Sequence, residues 1–238
     1  MPPPTLRPRN DPGQYDDLVE AWWDRRGAFA MLHWLAQARA ALVPDAGRPG
    51  AVLVDLGCGG GLLAPHLAGK GYHHVGFDLT SSALGCAVLH GVVAVRADVA
   101  ALPLADDSAD VVCAGEILEH VADTGAVVAE ACRVLRPGGL LVIDTIADTR
   151  LANLLAVEVA ERIPGAAPAG IHDPALFVDR RALVGSCASH GVTLQLRGLR
   201  PKWRDLAAWA ARRRDTVSMV PLWTTAVLFQ GWGRKHKP

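Results

Sequence analysis

The sequence has no excess of either charge and no regular pattern of cysteines, and both absences narrow the function. Lysine plus arginine and aspartate plus glutamate number 24 each, which excludes the overall basic excess of a dedicated nucleic-acid binder. The five cysteines are odd in number, irregularly spaced and without a CxxC pair, so we expect neither a disulfide framework nor a thiolate zinc site. The expected partner is therefore a small molecule and not a nucleic acid.

Features that direct a chain into a membrane are also missing. The first residues, MPPPTLRPRNDPG, carry charge without a following apolar run, so we expect no secretory signal. No apolar stretch reaches the ~18 residues needed to span a bilayer. These observations predict a cytoplasmic protein, at most peripheral to a membrane.

The chain does contain enough apolar material for one large core, since half of its 238 residues are hydrophobic and a fifth are charged. Residues 1–14 are rich in proline and arginine, and we predict a disordered segment there. Residues 15–238 are predicted to form a single domain. It begins with a helical cap from Tyr15 to Val43 that is interrupted at Gly27.

Beyond residue 50, short apolar runs alternate with helix-length segments. The runs do not alternate in polarity, so they predict strands buried on both faces of a parallel sheet, with helices in the connections. Seven strands are predicted, at 51–56, 73–79, 92–97, 110–114, 139–146, 192–198 and 224–232. The predicted fold class is therefore α/β, a Rossmann-like, doubly wound, mainly parallel seven-stranded sheet with an N-terminal helical cap.

The strongest motif is VLVDLGCGGG at 52–61, an apolar strand that runs through Asp55 into a glycine-rich turn. Glycines at such a turn let the backbone approach a ligand closely, because no Cβ intervenes. Asp78 ends the next strand, at the interval where a carboxylate accepts the hydroxyls of a ribose. Asp98 ends the third strand, where it is placed to contact an adenine ring with Val99 beside it.

Two details distinguish this motif from a dinucleotide-binding turn. It reads D-x-G-x-G-x-G and not G-x-G-x-x-G, and its leading carboxylate would repel a pyrophosphate but favours a cationic aminoacyl group. The series of glycine motif and two aspartates resembles motifs I to III of the class I S-adenosylmethionine-dependent methyltransferases. RVLRPGGLLVI at 133–143 is typical of the fifth strand of that family and its preceding turn. The resemblance implies S-adenosylmethionine as the cofactor.

Outside this common core, the chain resembles the ubiquinone-biosynthesis O-methyltransferases over nearly its whole length. The similarity lies in WWDRRGAFAMLHWLAQAR at 22–39, GEILEHV at 115–121 and GIHDPALFVDRRAL at 170–183. That family methylates polyprenylated catechols and related phenols, so the resemblance implies an O-methyltransferase acting on a hydroxylated aromatic. It also implies a set of cofactor contacts, with Arg39 reaching the cofactor's carboxylate: Arg39, Asp55, Gly57, Gly59, Asp78, Leu79, Asp98, Val99 and Gly115.

The cluster of Glu116, Glu119 and His120 follows the fourth strand, at the sheet edge where open α/β folds bind ligands. In the family this trio is associated with a divalent metal, and two carboxylates with an imidazole suit Mg²⁺ or Mn²⁺. Such an ion would turn an acceptor hydroxyl into a nucleophile near neutral pH. Similar sequences also occur in methyltransferases without a metal, where the side chains cap a helix or act as acid and base. Both interpretations stay open, with Glu119 and His120 as catalytic candidates and His120 as the best candidate base.

The segment 148–173 lies after the fifth strand, where this fold builds its substrate cover, and we predict a lid there. Five of its apolar side chains recur at helical spacing, namely Leu151, Leu154, Leu155, Val159 and Ile163. Two interpretations of this stripe stay open: the helix packs on the core, or it contacts lipid. At 201–214, tryptophans among basic residues suit an anionic membrane surface, although a solvated helix face gives the same pattern. His33 and His172 are carried over from the family as contacts of the lid or the acceptor.

Two further functions stay open. One is a small-molecule methyltransferase of specialised metabolism that acts on nitrogen or carbon without a metal. The other is a catalytically silent regulator that binds S-adenosylmethionine. The ionisable cluster after the fourth strand disfavours the regulator, because a pure binder has no need of such groups beside the sulfonium.

Overall fold

The computed structural model describes residues 7–162 and 167–237. Its strands are β1 (Ala51–Leu56), β2 (Tyr72–Asp78), β3 (Val93–Arg96), β4 (Ala109–Gly115), β5 (Leu135–Ile146), β6 (Gln195–Pro201), β7 (Met219–Leu222) and β8 (Leu228–Arg234). They form one sheet in the order β3-β2-β1-β4-β5-β8-β6-β7. β1 to β5 pair in parallel, whereas β8, β6 and β7 continue the sheet in antiparallel pairs.

The helices are α1 (Gly13–Asp17), α2 (Ala30–Ala40), α3 (Ala64–Leu67), α4 (Ser81–Leu89), α5 (Thr124–Val134), α6 (Arg150–Asn153), α7 (Arg180–Ser189) and α8 (Trp203–Ala210). Several begin where the sequence supplies an oxygen to cap the first amides. Asp123 accepts a hydrogen bond from the Ala126 amide at the start of α5, and Thr149 accepts one from Ala152 at the start of α6. α6 continues as a π-helical segment over Leu154–Val159 and ends in a 3₁₀ turn at Ala160–Arg162.

The side chains of each central strand alternate between the two faces of the sheet, as strand geometry requires. On one face, Val54 and Val112 pack in a cluster with α5 and α7. On the other, Leu53 and Val111 pack with α2 and α3. All four valine and leucine side chains are buried. Burial on both faces explains why the strands are continuous apolar runs.

The predicted fold class is confirmed, with one more strand than the seven predicted. The additional strand is β7, whose four residues include Pro221 and lie at the sheet edge. A short run with a proline does not give the alternation or length that marks a strand in a sequence. β6 and β8 begin at residues 195 and 228, whereas the sequence predicts starts at 192 and 224.

The N-terminal part is built from shorter pieces than a cap helix over 15–43. α1 is followed by a 3₁₀ turn at Val19–Ala21, and α2 begins only after the Gly27 turn. Residues 1–6 of the segment predicted to be disordered lie outside the described residues. Residues 7–14 contact the rest of the domain, since the Asn10 amide donates a hydrogen bond to the Gly170 carbonyl at 3.1 Å.

Within the two described ranges, no helix combines the length and apolarity needed to cross a membrane.

Candidate active site

One cavity lies at the carboxyl ends of β1, β2 and β4, where the strand order reverses between the neighbours β1 and β4. This is the position at which open α/β sheets bind their ligands. The structure brings all nine predicted cofactor residues to the wall of this single cavity: Arg39, Asp55, Gly57, Gly59, Asp78, Leu79, Asp98, Val99 and Gly115.

The glycine-rich turn after β1 is shaped by an aromatic side chain from the N-terminal part. Gly59 has φ +49°, a left-handed conformation that glycine adopts without cost. A Cβ on Gly59 would collide with the Trp22 ring. That ring is buried and stacks on Phe29 at 4.4 Å and on Tyr15 at 5.9 Å between centroids. The turn therefore presents bare backbone to the cavity and rests on a rigid aromatic stack.

Asp78 joins the end of β2 to this turn. One carboxylate oxygen accepts a hydrogen bond from the Gly59 amide at 2.9 Å, and the other accepts one from Thr80 at 2.8 Å. Burial raises the pKa of Asp78, and the two backbone hydrogen bonds oppose that shift. Each carboxylate oxygen has two lone pairs, so both oxygens can accept a ribose hydroxyl as well. A turn with glycine at positions 57 and 59, beside such a carboxylate, fits S-adenosylmethionine.

Arg39 reaches the cavity from α2, and its guanidinium is held by an acidic partner. Its Nε and Nη2 each donate to the Asp144 carboxylate at 2.7 Å, and both side chains are buried. The guanidinium crosses the end of β4 at Gly115, where a Cβ would overlap it. The resemblance predicts that Arg39 binds the cofactor's carboxylate. In the structure its bidentate partner is Asp144, so a ligand would meet an arginine that is already oriented.

The Glu116, Glu119 and His120 cluster divides into two environments. Glu116 lines the cavity and adopts φ +52°, an uncommon conformation outside glycine. Burial, followed by the neighbouring Glu119 carboxylate, raises the pKa of Glu116 well above its usual range. Glu119 is fully buried, does not line the cavity and accepts a hydrogen bond from the Thr145 hydroxyl at 2.7 Å. Its predicted catalytic role would therefore act through Glu116.

His120 lies in the cavity wall and faces the N-terminal segment. Its Nδ1 lies 2.6 Å from Asn10 Oδ1, and its Nε2 lies 3.5 Å from the Tyr15 hydroxyl. The His172 ring stacks on it at 5.7 Å between centroids. Burial lowers the pKa of His120 to about 3, and the nearby His172 contributes to the shift. His120 is therefore a neutral imidazole at neutral pH.

As arranged here, the trio does not form the metal site that the resemblance implies. Two buried oxygens, Glu116 Oε1 and Glu119 Oε1, lack a hydrogen-bond partner, but both ring nitrogens of His120 lie near Asn10 and Tyr15. Across residues 7–162 and 167–237, no three histidine, cysteine, aspartate or glutamate side chains are grouped as metal ligands. Burial raises the pKa values of both Glu116 and Glu119, which favours the protonated form of each carboxyl.

The end of the predicted lid borders the cavity through Ala167, Pro168, Ile171 and His172, and one buried carboxylate holds it there. Glu161 accepts hydrogen bonds from the backbone amides of Gly170 and His172 and from the Arg9 guanidinium, at 2.8 to 3.1 Å. His172 Nδ1 lies 3.3 Å from the same carboxylate. Glu161 thus joins the N-terminal segment to the lid beside the cavity. His172 lines that cavity, whereas His33 does not and instead contacts the Trp22 carbonyl at 2.9 Å.

Glu161→Gln is expected to loosen the lid, because it removes the charge that four donors share. Hydrogen bonds to charged groups contribute roughly 1.5–3 kcal/mol, so amide exchange at Gly170 and His172 should accelerate about tenfold or more. The matched control is Glu158→Gln, which removes a half-exposed carboxylate that pairs with Arg162 on the same helical segment. Equal exchange in both variants would contradict the role given to Glu161.

The same contact predicts a pH dependence of lid closure. Burial alone would raise the pKa of Glu161, but hydrogen bonds from His172 and Gly170 and the charge of Arg9 lower it to about 2. Because the pKa is lowered in the folded state, the stabilisation is complete above the ordinary value near 4.5 and is lost as the pH falls from there toward 2. Exchange at Gly170, corrected for its intrinsic pH dependence, should therefore stay constant at neutral pH.

Four side chains around the cavity are not predicted as site residues from the sequence: Asn10, Tyr15, Trp22 and Glu161. Asn10 lies in the segment predicted to be disordered. Trp22 lies in a motif that indicates the family without indicating its position in the fold. Tyr15 and Glu161 are single polar groups in helical patterns, and only long-range packing gives them a role. Ile163 of the predicted apolar stripe lies outside the described residues.

Comparison with known proteins gives the family of this chain. A methyltransferase-domain family matches residues 54–143. A ubiquinone biosynthesis O-methyltransferase of Ralstonia nicotianae is 37% identical over 218 residues, which cover 87% of this chain and 91% of that protein. A protein of the same name from Cupriavidus pinatubonensis is 36% identical over 221 residues, 88% of each chain.

Solved structures share the fold. An S-adenosylmethionine-dependent methyltransferase of Thermotoga maritima gives a TM-score of 0.64 at 16% identity and covers 93% of this chain and 96% of its own. A TehB-like methyltransferase of Corynebacterium glutamicum gives a TM-score of 0.59 at 16% identity, and the match covers 94% of this chain and 100% of that chain. The fold, a cavity that fits S-adenosylmethionine and the sequence relatives agree on an S-adenosylmethionine-dependent O-methyltransferase. The chain belongs to the family of the ubiquinone biosynthesis O-methyltransferases.

Proposed function

We propose that the protein methylates a ring hydroxyl of a catechol or phenol, a polyprenylated quinone precursor being the preferred acceptor. One observation carries the proposal: the cofactor residues and an apolar compartment share one cavity, and a neutral histidine lies in its wall. The compartment is lined by Phe29, Met31, Leu32, Ala36 and Ile171. An aromatic ring with an apolar tail suits such a lining. The names of the relatives, which act in ubiquinone biosynthesis, support this acceptor class.

The residues present suggest how transfer proceeds. S-adenosylmethionine, when bound, supplies a methyl group already activated by the sulfonium. The protein's part is to hold the acceptor oxygen in line with the S–CH₃ bond. As the O–CH₃ bond forms and the C–S bond breaks, the sulfur keeps the electron pair. The hydroxyl proton passes to His120, whose neutral ring has a lone pair to receive it. Because burial lowers the pKa of His120 to about 3, the proton moves as the O–CH₃ bond forms and not before.

The test is methyl transfer from labelled S-adenosylmethionine to catechols, prenylated phenols and amines, each with Mg²⁺ or EDTA. We expect transfer to the phenolic acceptors, with the prenylated ones giving the lowest KM, and none to amines. Cofactor binding without transfer to any phenol would contradict the acceptor class. Transfer to amines alone would favour the nitrogen methyltransferase, and binding with no transfer at all would favour the regulator.

The comparison of assays with Mg²⁺ and with EDTA tests separately whether transfer requires a metal ion. Because both nitrogens of His120 face Asn10 and Tyr15, we expect transfer to survive chelation. Loss of activity in EDTA that Mg²⁺ restores would show that His120 leaves these partners to join Glu116 and Glu119 around an ion.

We also propose that the lid face and α8 rest on an anionic membrane surface. The apolar stripe of the lid is exposed and not packed on the core, with Leu151, Leu154, Leu155 and Val159 each 40 to 52% exposed. Trp203 and Trp223 are also exposed. Exposed basic residues lie in α8 or next to it, namely Lys202, Arg204, Arg212 and Arg213. Apolar side chains with basic neighbours favour an anionic interface.

Sedimentation with vesicles tests this surface. We expect binding to vesicles that contain phosphatidylglycerol and little binding to pure phosphatidylcholine. Leu154→Asp should lower the vesicle partition constant at least about tenfold, since burying a leucine contributes about 1.5–3 kcal/mol. Leu89→Asp is the control, because Leu89 is 83% exposed on α4, away from the lid and α8 in the sequence. Equal loss in both variants would contradict the proposed face.

A further inference from the structure

Asn10 makes two hydrogen bonds to a single residue, His120, which lies 110 positions away in the sequence. Its Nδ2 donates to the His120 carbonyl oxygen at 3.0 Å, and its Oδ1 lies 2.6 Å from His120 Nδ1. Asn10 also adopts φ +58°, a conformation that asparagine tolerates better than most residues. One side-chain amide therefore clamps both the ring and the backbone of the histidine in the cavity wall.

The two bonds together determine which ring nitrogen carries the proton. A carbonyl oxygen only accepts, so the amide nitrogen of Asn10 must be the atom that faces the His120 carbonyl. Its oxygen then faces Nδ1, and because that oxygen also only accepts, Nδ1 must carry a hydrogen. A neutral imidazole has one such hydrogen, so Nε2 keeps its lone pair, and an acceptor hydroxyl would replace Tyr15 as the donor to it. Nε2 lies 3.5 Å from the Tyr15 hydroxyl, and both side chains line the cavity.

We propose that Asn10 is a positioning residue that holds His120 as the Nδ1–H tautomer, so that Nε2 accepts the proton of the acceptor hydroxyl. The use of that proton acceptor rests on the proposed function above; the tautomer itself does not. Without Asn10, the His120 ring can rotate, and either of its nitrogens can carry the hydrogen. The fraction of molecules with the lone pair on Nε2 therefore falls. The assignment gives the N-terminal segment a part in proton transfer beyond covering the cavity.

Gln14, in the same N-terminal segment, provides a control that distinguishes positioning of His120 from anchoring of the segment. Gln14 Nε2 donates to the carbonyls of Pro8 and Gly170, at 3.1 and 3.2 Å. It therefore ties the N-terminal segment to the lid without touching His120. A Gln14→Ala variant loses anchoring contacts only. Asn10→Gly keeps the left-handed backbone and loses both bonds to His120, whereas Asn10→Asp keeps an oxygen acceptor for Nδ1–H and loses only the donor to the carbonyl.

The experiment combines ¹⁵N NMR of histidine-labelled protein with steady-state kinetics on the best phenolic acceptor. The His120 signals are assigned by their loss in His120→Gln. We expect Nδ1–H in the parent and in Gln14→Ala and Asn10→Asp, and a mixture of tautomers in Asn10→Gly. We expect kcat to fall about tenfold in Asn10→Gly and less than about threefold in Asn10→Asp, with KM for S-adenosylmethionine unchanged, since general-base catalysis contributes roughly 10²–10⁴.

An Nε2–H tautomer in the parent protein would overturn the proposal, as would equal kcat losses in Asn10→Gly and Asn10→Asp. A loss in Gln14→Ala as large as in Asn10→Gly would assign Asn10 to anchoring alone. The NMR measurement needs no acceptor. A failure of the acceptor class, with the tautomer as expected, is therefore distinguishable from a failure of the positioning role.

Discussion

Replacing His120 by glutamine is expected to lower kcat by at least about a hundredfold while leaving the affinity for S-adenosylmethionine within about twofold. The magnitude follows from the 10²–10⁴ that a positioned general base contributes. Glutamine keeps polar atoms at the site but has no basic nitrogen to accept the proton. The measurement is kcat for the phenolic acceptor beside calorimetric titration with the cofactor, because only the pair of values separates proton transfer from binding.

The matched control is His33→Gln. Both His120 and His33 are candidate site residues from the sequence, but the structure places His33 outside the cavity wall, against the Trp22 carbonyl. Glutamine can still donate to that carbonyl, so we expect kcat to stay within about threefold of the parent. A similar loss of kcat in both variants would show that the His120 effect is structural. An unchanged kcat in His120→Gln would remove this histidine from the mechanism.

The cofactor half of the site could be predicted from the sequence because its signals are local. Asp55, Asp78 and Asp98 each stand at or just beyond the end of a predicted strand. In a parallel sheet those ends meet at one edge, so predicting the strands already brings the aspartates together. The same logic recovers the α/β fold. It misses β7, because a four-residue edge strand with a proline has no periodic signal.

The acceptor half could not be predicted in the same way, because its contacts join segments far apart in the chain. Asn10 meets His120 across 110 positions, and Arg9 meets Glu161 across 152. No spacing rule connects such residues. The motif at 116–120 identifies chemistry-bearing side chains but not their partners. Of the two interpretations that the sequence leaves open for the trio, the partners of Glu119 and His120 in the structure favour the one without a metal.

Replacing Gly59 by alanine is expected to weaken binding of S-adenosylmethionine about a hundredfold, or about 2.7 kcal/mol. Alanine at φ +49° costs roughly 1–2 kcal/mol, and its Cβ meets the Trp22 ring. The ring cannot retreat, because it is buried against Phe29. The turn must move instead, which breaks the bond from the Gly59 amide to Asp78. Calorimetric titration gives the loss, and circular dichroism confirms the fold.

Gly69→Ala separates the backbone strain from the collision. Gly69 has φ +81°, and nothing lies within 4 Å of a Cβ built there, so this variant carries strain alone and should bind the cofactor normally. The double variant Gly59→Ala/Trp22→Leu removes the aromatic ring that the new Cβ meets. It should therefore bind the cofactor more tightly than Gly59→Ala alone, which independent, additive effects of the two substitutions would not give. Parent-like affinity in Gly59→Ala would mean that the turn can shift away from Trp22 without disturbing the cofactor, and would contradict the rigid cradle described for this site.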